Sequence, residues 1–247
     1  MADWLPVTTG ESGARVFRSA DGSRYRKVVD AAGAAALAGE RDRMRWATAH
    51  GVPGPVVLDW RTDRAGAEMV TGAVRGIPAD QLGAEALAEA WPALVDAVRT
   101  LHAMSVVGCP YRRDLDTMLA MARDVVARDA VNPDFLPDED RGVPGTALLA
   151  RVERDAGLRR HQERADLVVC HGDLCLPNIL VDGSSVGFVD LGRLGVADRH
   201  ADLALLLESA RQSFPGMPAR SGVEERYPWA VDDERLEFYL RLDPLTW

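Results

Sequence analysis

The chain has 247 residues, 47% of them apolar and 27% charged, with a formal net charge of −9. These values exclude a disordered tail, a collagen-like repeat and a disulfide-stapled miniprotein, and they allow one or two packed domains. The acidic balance also excludes a nucleic-acid backbone as the main partner, because phosphate binding needs a basic face, whereas an acidic surface steers cations toward itself.

Of the 29 basic residues, Lys27 is the single lysine. The arginine excess suits codon usage in a GC-rich genome, which does not account for where the lysine sits. The start, Met1-Ala2-Asp3-Trp4, lacks the basic and apolar stretches of a secretory signal. Apolar runs such as Leu203 to Leu207 are too short to span a bilayer. A cytoplasmic protein with no membrane partner is expected. Cys109, Cys170 and Cys175 lack metal-ligand spacing and read as reduced structural thiols.

In chain order, Arg15 to Ser19 and Arg24 to Val29 flank the turn signal Ala20-Asp21-Gly22, which predicts a hairpin. A helix follows over about 34–49, stopped by Gly51 and Pro53. Val56 to Arg61 and Ala67 to Val70 read as two more strands. Thr71 to Gly76 is a glycine-bearing connection. Glu85 to Met104 then places Trp91, Leu94, Val95, Val98 and Leu101 on one helical face, and Arg113 to Ala130 is similarly periodic. Asn132 to Asp140 is an acidic, proline-bearing loop. Leu167 to Cys170 reads as a buried strand, with further helices over Arg199 to Gln212 and Asp232 to Leu242. The expected architecture is α+β: a small β-rich N-terminal lobe over 1–72, a hinge near 71–76, and a larger, mainly helical C-terminal lobe over 73–247.

The segment His171-Gly172-Asp173-Leu174-Cys175-Leu176-Pro177-Asn178 leaves the buried strand carrying three polar side chains. Ile179 to Asp182 and Val186 to Val189 predict a hairpin closed by Gly183-Ser184-Ser185. If Asp182 faces Val186, Asn178 stands directly opposite Asp190, with Cβ atoms roughly 5 Å apart. Two oxygen donors at that end suit Mg²⁺, which fills its remaining positions with water and phosphate. Asp173, five residues before Asn178, is placed to accept the proton of an attacking hydroxyl.

Glu40 falls on the apolar stripe Leu37, Met44, Ala47 of the helix over 34–49, and a carboxylate on a core-facing stripe needs a cationic partner. Lys27, on the preceding strand, is the candidate. A lysine tethered by a helix carboxylate and aimed at nucleotide phosphates is the protein-kinase arrangement. Thr9-Gly10-Glu11-Ser12-Gly13 could close over phosphates with backbone N–H groups.

With Lys27, Glu40, His171-Gly172-Asp173, Asn178 and Asp190-Leu191-Gly192 in this order, nearly the whole chain resembles the aminoglycoside phosphotransferase family. Within it, Asn132 to Asp140 and the end Phe238 to Trp247 are most similar to the streptomycin 3″-phosphotransferases. The resemblance implies a two-lobed, protein-kinase-like fold, ATP and Mg²⁺ as cofactors, and a cationic aminoglycoside as the small-molecule partner of a monomer. It implies Lys27 on the α- and β-phosphates with Glu40 holding it, Ser12 in the nucleotide loop, and backbone near Thr71 to Ala73 against adenine. Asp173 would be the catalytic base, Asn178 and Asp190 the metal ligands, and Arg193 a residue shaping the substrate side. His171 would brace the loop. Streptomycin carries two guanidinium groups, which carboxylates bind bidentately. Asp138, Glu139, Asp140, Asp243 and the terminal carboxylate of Trp247 are the candidates.

One departure lies between Glu208 and Asp232, where Ser-Phe-Pro-Gly-Met-Pro-Ala-Arg-Ser-Gly replaces a longer helical segment. Three alternatives stand beside this reading: a kinase of another aminoglycoside or of choline, a nucleotide-binding pseudokinase, and a metal hydrolase built on His171, Asp173 and His200.

Overall fold

The computed structural model describes residues 3–7 and 14–247, so Ser12 and its glycine-bearing loop lie outside the described residues. The first elements are β1 (Trp4–Val7), β2 (Arg15–Ser19), β3 (Arg24–Asp30), α1 (Ala34–Ala49), β4 (Val57–Thr62), β5 (Gly66–Gly72) and β6 (Ile77–Pro78). There follow α2 (Ala84–His102), α3 (Leu115–Ala127), α4 (Gly145–Glu163), β7 (Leu167–Cys170), β8 (Ile179–Asp182) and β9 (Ser185–Phe188). The chain closes with β10 (Gly195–Asp198), α5 (Arg199–Ser213), α6 (Ala219–Arg226) and α7 (Asp233–Leu242). The mixed α+β architecture is the expected one.

Two compact units result. One runs to Leu82 and also includes Pro177–Arg193; the other comprises Gly83–Leu176 and Leu194–Trp247. The expected boundary near residue 72 therefore falls inside the first unit, which takes a second, later piece of chain.

In the first unit an antiparallel sheet has the order β1-β2-β3-β5-β4. The β2–β3 hairpin pairs Arg15 with Val28 and Arg18 with Tyr25. Its turn is fixed by the Asp21 carboxylate, which accepts from Ser19 Oγ (2.6 Å), Ser23 N (3.0 Å) and Ser23 Oγ (2.8 Å). Helix α1 buries Leu37, Met44 and Ala47, the stripe expected from the sequence. Each buried Leu or Met side chain contributes about 1.5–3 kcal/mol.

A smaller sheet, β6-β8-β9, explains why Pro177–Arg193 joins this unit. Ile77 of β6 pairs with Val181 of β8, and Phe188 N donates to Pro53 O (2.8 Å). The hairpin register differs by one residue from the sequence expectation. Asp182 pairs with Ser185, leaving a two-residue loop, Gly183-Ser184. Gly183 takes φ +59° at the first loop position, which two-residue hairpins of the II′ kind reserve for glycine. Asn178 consequently meets Val189, whose N–H donates to Asn178 O (2.9 Å), rather than Asp190.

In the second unit α2 buries Leu87, Trp91, Leu94, Val95, Val98 and Leu101. Strands β7 and β10 pair antiparallel, with Cys170 opposite Gly195. Helix α4 was not anticipated by the sequence pattern. Its buried stripe runs Leu148, Val152, Ala156, Arg159, Glu163, so two of five inward positions are charged and the apolar period is broken. Behind β7, Asp166 receives both Arg199 and Arg235, and Asp198 receives Arg235. The segment after Glu208 continues α5 to Ser213 and then forms the short α6, whose Ala219 O accepts Trp91 Nε1 (3.2 Å). Among the described residues no helix is long and apolar enough to cross a membrane.

Candidate active site

Lys27 sits mid-strand in β3, opposite Val16 and Met69, and its Nζ donates to Glu40 Oε2 at 2.8 Å. Both side chains are largely covered, with 19% and 11% exposure. Burial alone would push the Lys27 ammonium down, but Glu40 and Asp190 outweigh it and hold its pKa above the ordinary lysine value. Burial raises the Glu40 carboxyl; Lys27 pulls it back only partly, and Asp190 adds to the rise. Two carboxylates thus face one ammonium. The excess negative charge is suited to a further cation.

Asp190 follows β9 and adopts φ +58°, a left-handed backbone that Asp tolerates better than most side chains. Its residue is exposed. The turn Leu191–Arg193 that follows packs on α1. A Cβ built on Gly192 would lie 3.4 Å from Glu40 Cγ and 3.7 Å from Asp190 Oδ1, so the chain after Asp190 passes directly against Glu40. Asn178 ends the short turn Leu176–Asn178 and is half-buried. The first unit therefore brings Lys27, Glu40 and Asp190 into one electrostatic group, with Asn178 bonded to the residue before Asp190.

In the second unit, the loop after β7 is held from within. Asp202, in the first turns of α5, is fully buried; its Oδ2 accepts His171 N (2.7 Å) and its Oδ1 accepts Gly172 N (2.8 Å). Gly172 has φ +85°, which aligns its N–H with that of His171 on the same carboxylate, as successive amides do in an anion nest. His102 Nε2 donates to Asp202 Oδ2 at 3.0 Å. Burial alone would raise the Asp202 carboxyl, but His102, His171 and the Gly172 amide outweigh it, and the group stays ionised. Asp173 is half-buried; its N–H donates to His171 Nδ1 (3.2 Å) and its Oδ1 accepts Cys175 Sγ (3.8 Å). His171, completely buried, braces the loop in the way its sequence context suggested.

Asp202 and His102 did not emerge from the sequence. Asp202 carries the same signal as Glu40, a carboxylate inside an apolar run, here Ala201-Asp202-Leu203-Ala204. His200, the third member of the alternative hydrolase site, is spent on structure. Its Nδ1 bonds Asp198 (2.8 Å) and its Nε2 accepts Asp232 N (3.1 Å). His102, Cys170 and Asp202 lie close enough to hold a metal ion. However, His102 and Asp202 are engaged with each other, and burial keeps the Cys170 thiol protonated.

The remaining expected residues fall as follows. Thr71 is buried in β5, between Tyr25 and Val57. The Ala73 amide, expected near adenine, already donates to Ser23 O, and the Gly72 amide donates to Val56 O (both 2.9 Å). A purine edge would have to be met by carbonyls or by amides further along. Arg193 is half-buried on the turn after Asp190. In the acidic loop, Glu139 is exposed, Asp138 pairs loosely with Arg141 at 3.1 Å, and Asp140 is committed to Arg151 at 2.6 Å. Asp243 is buried and bonds Arg113 (2.9 Å) and Trp247 Nε1 (3.0 Å). Its carboxylate thus supports Trp247 instead of facing outward. Trp247 in turn meets Phe135 of the acidic loop edge-on, ring centroids 5.5 Å apart.

A carboxylate-tethered lysine in a sheet, an exposed aspartate closing a hairpin beside it, and an anchored His-Gly-Asp loop define a kinase-like phosphotransferase. The sequence profile of the phosphotransferase enzyme family matches residues 3–239. The chain is 58% identical over 252 residues to streptomycin 3''-kinase of Streptomyces griseus, covering 99% of this chain and 93% of that protein. It is 39% identical to an aminoglycoside 3'-phosphotransferase of Streptomyces fradiae, over 98% and 94% of the two chains. The structure of aminoglycoside phosphotransferase APH(3'')-Id from Streptomyces rimosus superposes with a TM-score of 0.95 at 54% identity, covering 100% of this chain and 93% of that one. The same protein in complex with ADP and streptomycin gives a TM-score of 0.93. The chain belongs to the aminoglycoside phosphotransferase family.

Proposed function

We propose that the protein transfers the γ-phosphoryl group of ATP to the 3″-hydroxyl of streptomycin and so confers resistance to the drug. The observation that carries phosphoryl transfer is the Lys27–Glu40 pair with Asp190 beside it. The choice of streptomycin rests on the Streptomyces griseus relative and on the Streptomyces rimosus structure with that ligand.

Asp173 accepts the proton of the acceptor hydroxyl as its oxygen attacks the γ-phosphorus. The bond to the β–γ bridging oxygen breaks, and ADP leaves with the electron pair. Lys27, oriented by Glu40, meets the α- and β-phosphates, and Ser12, outside the described residues, contributes to nucleotide binding. Backbone carbonyls around Thr71 to Ala73, or amides further along, would meet the base. An all-oxygen donor pair, Asn178 and Asp190, next to an excess of carboxylate, fits Mg²⁺. When bound, that ion would neutralise charge on the phosphates. Arg193, Asp138, Glu139, Asp140 and the Trp247 carboxylate border the drug, with Asp243 supporting Trp247. Free thiols and ATP supply fit a cytoplasmic protein.

The test is a Mg-ATP phosphotransfer assay against streptomycin and kanamycin, with wild type and Asp173→Ala. Streptomycin is expected to be phosphorylated, and the substitution to cost ~10²–10⁴-fold in kcat. Unchanged transfer by Asp173→Ala would refute the base. Transfer to kanamycin alone would move the substrate elsewhere, and Mg-ATP binding without turnover would indicate a pseudokinase.

A further inference from the structure

Helix α5 offers a second acceptor to the loop after β7. Ser209 Oγ accepts Leu176 N at 3.1 Å. Ser209 lies two turns beyond Asp202 on the same face of the helix, about 10 Å further along its axis. Asp202 holds the start of the loop, at His171 and Gly172, and Ser209 holds its far half. Leu176 is also where the chain changes unit: the second unit keeps it up to Leu176, and the first takes it from Pro177.

Leu176 opens the short turn Leu176–Asn178, and the first N–H groups of such a turn have no acceptor inside it. The residue is completely buried, so water does not reach its N–H and the acceptor has to come from the protein. The preceding Cys175 is a poor cap, because its Sγ faces Asp173 Oδ1 (3.8 Å) and sulfur accepts weakly. Pro177 has no N–H to contribute. A hydroxyl from α5 takes the place of the missing cap. The side chains of Leu174 and Leu176, both 0% exposed, keep this stretch against the core, but apolar burial has no direction. The Ser209 bond is directional and sets the plane of the Cys175–Leu176 peptide.

From that plane the chain has little freedom before Asn178, since the Pro177 ring fixes its own φ. Asn178 O then accepts Val189 N (2.9 Å), one residue before Asp190. We propose that Ser209 is a positioning residue for the Asn178–Asp190 pair: acting through Leu176 and Pro177, it sets where the Asn178 side chain stands. The proposal rests on the reading of Asn178 and Asp190 as magnesium ligands. Removing a group that orients a metal ligand typically costs about 10–100-fold in metal affinity or activity.

Four variants test this: Ser209→Ala, Ser209→Thr, Asn178→Ala, and the Ser209→Ala/Asn178→Ala double. The readouts are the Mg²⁺ concentration that half-saturates the rate, Mn²⁺ binding in the presence of ADP followed by electron paramagnetic resonance, and amide exchange. Ser209→Ala is expected to raise the Mg²⁺ requirement and the Mn²⁺ Kd about 10-fold, with KM for streptomycin near wild type. Ser209→Thr keeps the hydroxyl and should behave as wild type. The double variant should bind Mn²⁺ no more weakly than Asn178→Ala, because the effect of Ser209 passes through Asn178. Amide exchange in Ser209→Ala should quicken at Leu176 while His171 and Gly172, held by Asp202, stay protected.

Wild-type Mn²⁺ affinity in folded Ser209→Ala, a double variant weaker than Asn178→Ala, or a change confined to KM for streptomycin would overturn the proposal. So would a wild type that holds no Mn²⁺ with ADP. If Ser209→Ala fails to fold, Ser209→Cys, a weaker acceptor of similar size, decides the matter in the same Mn²⁺ titration. Should the wild type phosphorylate nothing, the functional reading fails on its own, and the Mn²⁺ titration with amide exchange decides the role of Ser209 separately.

Discussion

Lys27 on β3 donates to Glu40 on α1 across 2.8 Å, joining a strand and a helix of the first unit through two largely covered charges. The lone lysine of a chain with 29 basic residues thus occupies a position where shape matters. An ammonium is a compact point charge, while a guanidinium is a wider planar fork that would meet Glu40 in a different geometry. Lys27→Arg is expected to lower kcat/KM for ATP about 10–100-fold although the charge is kept. Steady-state kinetics in ATP measure this, and near-normal turnover would refute the geometric argument.

The same pair predicts a pH effect. Glu40 and Asp190 hold the Lys27 pKa above its ordinary value against the opposing effect of burial. In Glu40→Gln burial is less opposed, so the lysine loses its proton at lower pH. The alkaline limb of the kcat/KM profile for ATP should move toward neutrality in that variant. A profile from pH 6 to 10, in which the limb stays in place, would mean that Lys27 does not govern it.

Asp243 and Trp247 separate by function. Removing the Asp243 carboxylate leaves the Arg113 guanidinium, 5% exposed, without its acid. Breaking a buried pair in this way costs about 3–5 kcal/mol, so Asp243→Ala should mainly lower Tm. Trp247→Ala removes the ring that packs on Phe135 and should raise KM for streptomycin while leaving KM for ATP unchanged. Thermal melts and two-substrate kinetics distinguish the two outcomes.

Glu163 accepts Leu115 N at the start of α3 (2.8 Å), and burial pushes its pKa from 4.5 up to about 7. The folded state keeps this proton to a higher pH than the unfolded chain does. Stability from this group is therefore present below the unfolded value and is lost as pH rises toward 7. Glu163→Gln preserves the acceptor and removes the charge. It should flatten that part of the Tm–pH curve and raise Tm at pH 8, by about 2–4 °C per kcal/mol recovered.

What the sequence disclosed followed the strength of local signals. The β2–β3 hairpin and α1 were legible because Asp21-Gly22 and the stripe Leu37, Met44, Ala47 each carry an unambiguous pattern. Glu40 was legible because it interrupts such a stripe. Helix α4 was hidden for the converse reason: Arg159 and Glu163 occupy inward positions, so its period reads as surface. The β8–β9 register turned on one residue of loop length, which Gly183 decides through its backbone conformation. Asp243 looked like a ligand for a guanidinium because its partner, Arg113, lies 130 positions away. The His102–Asp202 pair spans 100 positions, and of the two only Asp202, a carboxylate inside an apolar run, leaves a local trace.

The membership of Pro177–Arg193 in the first unit bears on how the chain is made. Strand β6 finds its partner in β8 about a hundred residues further on, and Pro53 its hydrogen-bond donor, Phe188, later still. During synthesis at roughly 5–20 residues per second, the five early strands wait on the order of 5–20 s before β8 and β9 emerge. Lys27 and Glu40 can meet within that interval, but Asp190 joins them only after most of the helical unit has left the ribosome. Nascent chains halted between residues 82 and 193 should therefore have an early sheet without the Asp190 carboxylate beside Lys27 and Glu40.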